Sequence, residues 1–441
     1  MNVAIISLGC SKNLVNSEQM MWLIEREGHT LCAHTDMADA VIVNTCGFLE
    51  SACSEAVETI IELGLKKNTG RPGLILAAGC MVERHKHDVL ADLPELDGVI
   101  GCGGFDDVIA ALDGAAAGKR PEIFGDINAP VSETGRILGT PGYYAYLKIA
   151  EGCDNRCAFC VIPSLRGGFR SRPREAVIGE ARELVKNGAR ELILVAQDTT
   201  RYGLDLYGRR ALPPLIDELC GIEGLHWLRL HYLYPDDVSD ELLDVMAAQP
   251  KCVKYFDIPI QHCNDGILRA MGRRGGKAAL ERLVARIRDK LPGAVLRTSV
   301  IAGLPGETPQ AFEELCDFLR QTKWERAGVF EYSAEDGSAA AEMDGQVEAG
   351  VKSRRREIIE DIRREIADDF NARHVGQALE VLCEGYDRVA DCYYGRSQYD
   401  APEVDGKVFF MSDEKIEPGR FVSVVIDGAV DGDMTGEVLQ N

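Results

Sequence analysis

"EGCDNRCAFC", residues 151–160, spaces Cys153, Cys157 and Cys160 as C-x₃-C-x₂-C and offers no fourth cysteine nearby. Zinc takes four ligands, typically from two C-x₂-C knuckles, and only one knuckle is present here. Thioredoxin-type chemistry needs C-x-x-C at a helix start and has no use for Cys153. A cubane iron–sulfur cluster accepts three thiolates and leaves one iron open to a small molecule carrying an amine and a carboxylate. The competing reading is a zinc-bound or simply buried cysteine group.

The motif directly follows an apolar run, "YAYLKIAEG" (144–152), and five more such runs come after it. They are "ELILVAQD" (191–198), "LHWLRLHY" (225–232), "KYFDIPIQ" (254–261), "AVLRTSVIAG" (294–303) and "RAGVFEYS" (326–333). Helical patterns such as 174–187 and 308–321 separate them. Six β/α units predict an open, partial barrel, since closure in the common version takes eight, and sites in such folds sit at the C-terminal strand ends. S-adenosylmethionine carries the amine and carboxylate an open iron accepts. The spacing, with an aromatic (Phe159) just before the last cysteine, resembles that of the radical S-adenosylmethionine enzymes. Reduction of that molecule to a carbon radical requires an external electron donor.

Upstream, "NVAIISLGC" (2–10), "DAVIVNTCG" (39–47) and "GLILAAGC" (73–80) alternate with amphipathic segments, predicting a small open parallel α/β sheet. Cys10, Cys46 and Cys80 each close one of these runs, 36 and 34 residues apart. Strand ends on one edge of a parallel sheet point into one crevice, so three distant thiols can converge there on a second cluster. Three buried core cysteines are the other reading. The remaining nine (Cys32, Cys53, Cys102, Cys220, Cys252, Cys263, Cys316, Cys383 and Cys392) show no pattern and are taken as structural.

The pattern divides the chain into an N-terminal α/β domain (1–118), a polar Gly- and Pro-containing linker (119–138), a partial barrel with a linker helix (139–370) and a β-rich tail (371–441). In the charged stretch "VKSRRREIIEDIRREIADDF" (351–370), Arg356, Glu360 and Arg364 stand four apart, the pattern of one solvated helix. The tail's short runs between Gly, Pro and Asp turns predict a small antiparallel barrel.

Composition narrows the function classes. The 441 residues are 46% hydrophobic and 27% charged, with apolar runs too short to span a membrane. No signal-peptide pattern opens the chain, so a cytoplasmic protein is expected, and its fifteen cysteines are read as ligands or buried thiols rather than disulfides. A formal charge of −22 argues against a general nucleic-acid binder.

Both triplets and the tail together resemble the methylthiotransferase family of radical S-adenosylmethionine enzymes, over essentially the whole chain. The resemblance runs through "SLGCSKNLVNSE" (7–18), "NTCGFLESA" (44–52), "EGCDNRCAFCVIPSLRG" (151–167) and "GLPGET" (303–308). It implies two 4Fe–4S clusters, the Cys10/Cys46/Cys80 one auxiliary and handling sulfur, and a C-terminal TRAM module. One branch of the family modifies an adenosine in transfer RNA. The other inserts a methylthio group at the β-carbon of an aspartate in a small-subunit ribosomal protein, using one S-adenosylmethionine as methyl donor and another as radical source. "VAQDTTRYG" (195–203), "LHYLYP" (230–235), "YFDIPIQHCNDGILRAMGRRG" (255–275) and "RSQYDAPEVDG" (396–406) are similar to the second branch. "VDGDMTGEV" (430–438) departs from it, where a Tyr-Asp pair is more usual. Modification of transfer RNA is the alternative, and a non-catalytic iron–sulfur assembly factor for the ribosome is another of a different class.

The tail carries six Lys/Arg against fourteen Asp/Glu in 373–441, opposite to an RNA-gripping surface. It would attract a basic ribosomal protein, with Asp400, Glu403 and Asp405 as candidate rim charges; solubility is the bland reading. For the cofactor, "GLPGE" (303–307) would present backbone N–H groups from Gly303 onward, and Gln197 and Asp198 would hydrogen-bond it from another strand end. His262 is either a pocket residue or a structural histidine. Arg166, Arg170, Arg172 and Arg174 either meet the substrate or cofactor or decorate a solvated turn.

Overall fold

The computed structural model describes residues 1–68 and 70–439. Its first sheet is parallel throughout, in the order β2 (Thr30–Leu31), β1 (Asn2–Ser7), β3 (Ala40–Thr45), β4 (Leu74–Gly79), β5 (Gly98–Ile100), β6 (Glu122–Ile123). β3 is buried at all six positions, because helices cover both faces of the sheet. Ala56, Ile60 and Leu63 of helix Glu50–Lys67 pack on one face. Met20 and Ile24 of helix Ser11–Arg26, with Val108 and Leu112 of helix Val108–Ala116, pack on the other.

β6 falls inside the stretch read as linker. At two residues it is too short to carry an alternation that sequence could show. The rest of that stretch is anchored rather than free. Arg136 pairs with Glu18 and Glu180, and Arg172 with Glu133.

The central region holds β7 (Tyr144–Lys148), a short antiparallel pair β8 (Ala150–Glu151) and β9 (Arg170–Ser171), then β10 (Glu191–Val195), β11 (Trp227–Leu230), β12 (Tyr255–Asp257), β13 (Val295–Ala302) and β14 (Arg326–Glu331). β7, β10 and β11 form one parallel sheet and β12, β13 and β14 another. A single parallel bridge, Leu228 to Cys252, joins them into a six-stranded partial barrel. One large apolar core fills the space between these strands and their surrounding helices.

Helix Ala349–Ala372 is not the solvated helix its charges suggested. Arg355, Ile359, Ile362, Ile366 and Phe370 recur at helical spacing and bury one face against the barrel. The expected four-apart pairs do not form: Arg356 reaches Glu331 at 3.0 Å and Glu360 takes Arg363 at 2.7 Å.

The tail closes into a five-stranded barrel from β15 (Ala378–Asp387), β16 (Cys392–Ser397), β17 (Val408–Met411), β18 (Phe421–Val430) and β19 (Asp433–Val438). It is antiparallel except where β17 meets β19 in parallel. Its loop 396–405 docks against the N-terminal ends of the central strands. Arg396 donates to Glu191 at 2.8 Å, Arg326 to Asp400 at 2.7 Å, and Tyr255 to Asp405. Asp400 is 1% exposed, so it and Asp405 are clamps between two folding units rather than rim charges.

Candidate active site

The C-terminal strand ends of the first sheet face those of the partial barrel, and both cysteine triplets lie at these ends. Three glycines bring the first triplet's loops together. A Cβ on Gly9 would sit 2.7 Å from the Cys46 Cβ, one on Gly47 2.5 Å from the Cys80 backbone, and one on Gly79 2.7 Å from the Thr45 carbonyl. Gly9 and Gly79 also adopt positive φ, +88° and +94°, which side chains resist. Asn13 then ties the loops, donating to the Leu8 and Thr45 carbonyls at 3.1 and 2.8 Å. Asn44 donates back to the Asn13 carbonyl at 2.8 Å.

Cys153, Cys157 and Cys160 follow β8. Cys160 N–H donates to the Cys157 carbonyl at 3.0 Å. Asn155 pins the loop to the end of β10 by donating to Asp198 at 2.7 Å. Phe159 is buried in an apolar cluster with Ile267, Met271, Leu304 and Tyr332.

Cys80 of the first triplet packs against the segment that follows the second. Cys80, Val161 and Leu165 form one apolar cluster with Phe48 and Cys102 packed on it. Arg166, 3% exposed, spans the junction. It donates to Cys80 Sγ from Nε at 3.3 Å and from Nη2 at 3.2 Å, and from Nη1 to Asn16 at 2.8 Å. The second triplet has its own cation: Arg273 Nη1 lies 3.7 Å from Cys157 Sγ. Of the two readings given for Arg166, a solvated turn is excluded by its burial. Arg172 pairs with Glu133 and Glu180, and Arg174 with Glu218, so both serve the framework.

Burial pushes the Cys46 and Cys153 thiols up to about 11 and Cys160 up to about 12. Cys80 goes the other way, to about 6, because the Cys102 thiol 3.9 Å away donates to it and the Arg166 charge favours its thiolate. Cys102, taken as structural from sequence, thus belongs to the wall of this site.

Between the triplets, Glu151 accepts from Lys148 at 3.0 Å, Gln197 at 2.6 Å and Arg166 at 3.4 Å. Lys148 and Arg166 overcome the burial that would raise it and hold its carboxyl down at about 2. The amide oxygen of Gln197 is buried without a partner. Gly303 stands differently: its N–H donates to Glu307 at 3.0 Å, and a Cβ there would meet the Lys352 side chain at 2.4 Å. His262 accepts from Asn264 N–H at 2.9 Å and faces Glu307 at 3.4 Å, so it braces the same loop.

Among the described residues no three His, Cys, Asp or Glu side chains converge tightly enough for one metal ion. A cluster makes a different demand. Ligands of a single ion crowd to about 2.3 Å from it, whereas cubane thiolates bind separate irons and stand apart. Three thiols at glycine-crowded strand ends, with a guanidinium aimed at one, suit that second demand.

Three stretches match family models: residues 2–101 an uncharacterized protein family, UPF0004, 147–319 the radical SAM superfamily, and 375–439 the TRAM domain. The chain is 47% identical to the ribosomal protein uS12 methylthiotransferase RimO of Pelotomaculum thermopropionicum, over 99% of each chain. It is 45% identical to that of Desulforamulus reducens, over 100% of each, and 40% identical to that of Clostridioides difficile, over 100% of this chain and 99% of the other. Among solved structures it is similar to TsrM of Kitasatospora setae, a radical S-adenosylmethionine methyltransferase, with a TM-score of 0.57 and 15% identity over 75% of this chain and 74% of that one. That last likeness speaks for the fold.

Proposed function

Since the chain belongs to the RimO family of ribosomal protein uS12 methylthiotransferases, we propose that its two facing cysteine triplets hold the two 4Fe–4S clusters of that reaction. It is a radical S-adenosylmethionine enzyme whose substrate is ribosomal protein uS12, and the reacting group is an aspartate β-carbon. Cys153, Cys157 and Cys160 would hold the cluster that takes S-adenosylmethionine, and Cys10, Cys46 and Cys80 the auxiliary one. With both bound, the site gains one-electron reduction at one end and a sulfur-handling iron at the other. The observation that carries this assignment is the packing of Cys80 on Val161 and Leu165, directly after Cys160, with Arg166 of the same segment donating to the Cys80 thiol.

The chain's own side chains do the rest. The Gly9, Gly47 and Gly79 contacts fix three thiols that lie far apart in sequence. Arg166 and Arg273 each place a buried cation against one triplet, offsetting the negative charge a thiolate-bound cluster brings into a low-dielectric site. Gln197, with its unpartnered oxygen, is placed to receive a donor of the S-adenosylmethionine amino acid moiety or ribose. Phe159 backs the cysteine loop and keeps water from behind it. No helix of the described residues is long and apolar enough to cross a membrane. Free thiols at all fifteen cysteines support work in the cytoplasm.

Mass spectrometry of uS12 from cells with and without this chain is the test. The methylthio mass should vanish with the gene and return on complementation. Loss of a transfer-RNA methylthioadenosine instead would give the activity to the other branch. A reconstituted protein that binds uS12 but never releases 5′-deoxyadenosine from S-adenosylmethionine would be an assembly factor.

A further inference from the structure

Lys12 is 8% exposed and lies in the first turn of helix Ser11–Arg26, two residues after Cys10. A cation there opposes the positive end of the helix dipole and costs stability locally. Its ammonium sits 3.5 Å from the centre of the Tyr232 ring and within 4 Å of no carboxylate among the described residues. The carboxylate that acts on it from farther away, Glu151, is already engaged by Lys148, Arg166 and Gln197. Tyr232 itself is held at φ +60°, a conformation costly for a tyrosine, by Thr199 N–H at its carbonyl and by Asp257 at its own N–H. The fold thus holds a near-buried ammonium against an aromatic ring, with Tyr232, Cys10 and Glu151 favouring its charged form but no carboxylate within ion-pair distance among the described residues.

That charge links the two triplets' surroundings: it lies two residues after Cys10, it is felt by Glu151, two residues before Cys153, and its ring partner Tyr232 lies beyond the C-terminal end of β11. A substrate carbon acted on from both sites must enter the same gap. We propose that Lys12 receives the carboxylate of the substrate aspartate, with the Tyr232 ring holding the ammonium in place, so that the crevice selects an acidic side chain over a nucleobase. The inference rests on uS12 being the substrate. An ammonium with no carboxylate of its own gains a charge-assisted hydrogen bond when a substrate carboxylate arrives, and a neutral base offers it none.

The test uses the full-length protein with both clusters reconstituted and S-adenosylmethionine present, without reductant, so that nothing turns over. Calorimetry measures binding of uS12 and of uS12 carrying asparagine at the target aspartate, to the unaltered enzyme and to Lys12→Met, Lys12→Gln and Lys12→Arg. The unaltered enzyme should prefer the aspartate form by roughly 10- to 100-fold, the worth of a charge-assisted hydrogen bond in a dry site. Lys12→Met and Lys12→Gln should erase that preference and leave asparagine binding unchanged, and Lys12→Arg should keep part of it. With reductant added, the loss should fall on KM more than on kcat, a split that a merely structural lysine would not produce. Iron content and unfolding of each variant report its integrity. A variant that weakens both forms equally, or neither, overturns the proposal. If the unaltered enzyme ignores both forms of uS12, the substrate reading itself fails and the inference falls with it.

Discussion

The two ends of the partial barrel carry similar side chains and opposite accounts of them. At the base, where the tail docks, charges meet charges: Arg229 with Glu191 at 2.7 Å, Arg396 with Glu191 and Glu384 at 2.8 and 2.7 Å, Arg297 with Asp257 at 2.9 Å and Arg326 with Asp400 at 2.7 Å. At the mouth, among the described residues, Lys12 has no carboxylate within ion-pair distance, and the Gln197 oxygen and the Ser11 hydroxyl have no partner. The base is the more deeply buried, and even there Arg229 Nη2 and Arg297 Nε lack a hydrogen bond. What separates the ends is the carboxylate: each of these base arginines has one, and Lys12 at the mouth has none within ion-pair distance among the described residues.

Deleting 373–441 attacks the base and should have the largest effect. Arg229, Tyr255, Arg297 and Arg326 would lose partners at once, and each orphaned buried ion costs several kcal/mol. We expect a chain without cooperative unfolding, measured by heating or urea. A folded deletion variant that still cleaves S-adenosylmethionine would show the base to be dispensable.

The mouth should break more selectively. Cys157→Ala should abolish release of 5′-deoxyadenosine, while Cys46→Ala keeps it and ends methylthiolation. Iron per chain should fall by one cluster in each, with unfolding cooperative in both. Methylthiolation persisting in the Cys46 variant would refute the auxiliary assignment.

Glu191→Gln tests the base more gently. It takes from Arg229 its one ion-pair partner among the described residues, and stability should drop by about 3–5 kcal/mol. Iron content should not change. A loss of iron at full stability would mean that the ends are not separate.

The smallest effect lies between the two ends, at His231. Burial holds its imidazole down at about 3, against an ordinary value of 6.5. Between those values the unfolded chain takes up a proton that the folded chain refuses. Stability present above pH 6.5 is therefore lost as the pH falls toward 3, by at most about 1.4 kcal/mol per pH unit from this group. Urea titrations at pH 7 and 5.5 should lose about 1–2 kcal/mol more in the natural chain than in His231→Asn. Equal losses would relieve His231 of this role.

The same contrast explains what sequence alone could tell. Cys10, Cys46 and Cys80 stand out because each ends an apolar strand, and strand ends of parallel sheets have one known direction, whereas Cys153, Cys157 and Cys160 stand out by their spacing in one loop. Asp400 and Asp405 misled because a carboxylate on a loop reads alike whether it faces solvent or an arginine of another domain. Nothing local in "RSQYDAPEVDG" records Arg326 or Tyr255, 74 and 150 residues away from their partners. "GLPGE" offered free N–H groups on paper, but Glu307, inside the motif, takes the one at Gly303. Arg273 and Cys102 left no signal, since each acts on a cysteine more than twenty residues off. Lys12 did leave one: a cation in a first helical turn contradicts its own helix.

Arg166 lies 86 residues downstream of the thiol it covers. During translation, then, Cys80 leaves the ribosome well before its cover is made, and the first sheet can be complete while that thiol is still bare. Val161 and Leu165, which pack on the same thiol, come from that later segment too, so the surroundings of Cys80 are completed only by the second folding unit.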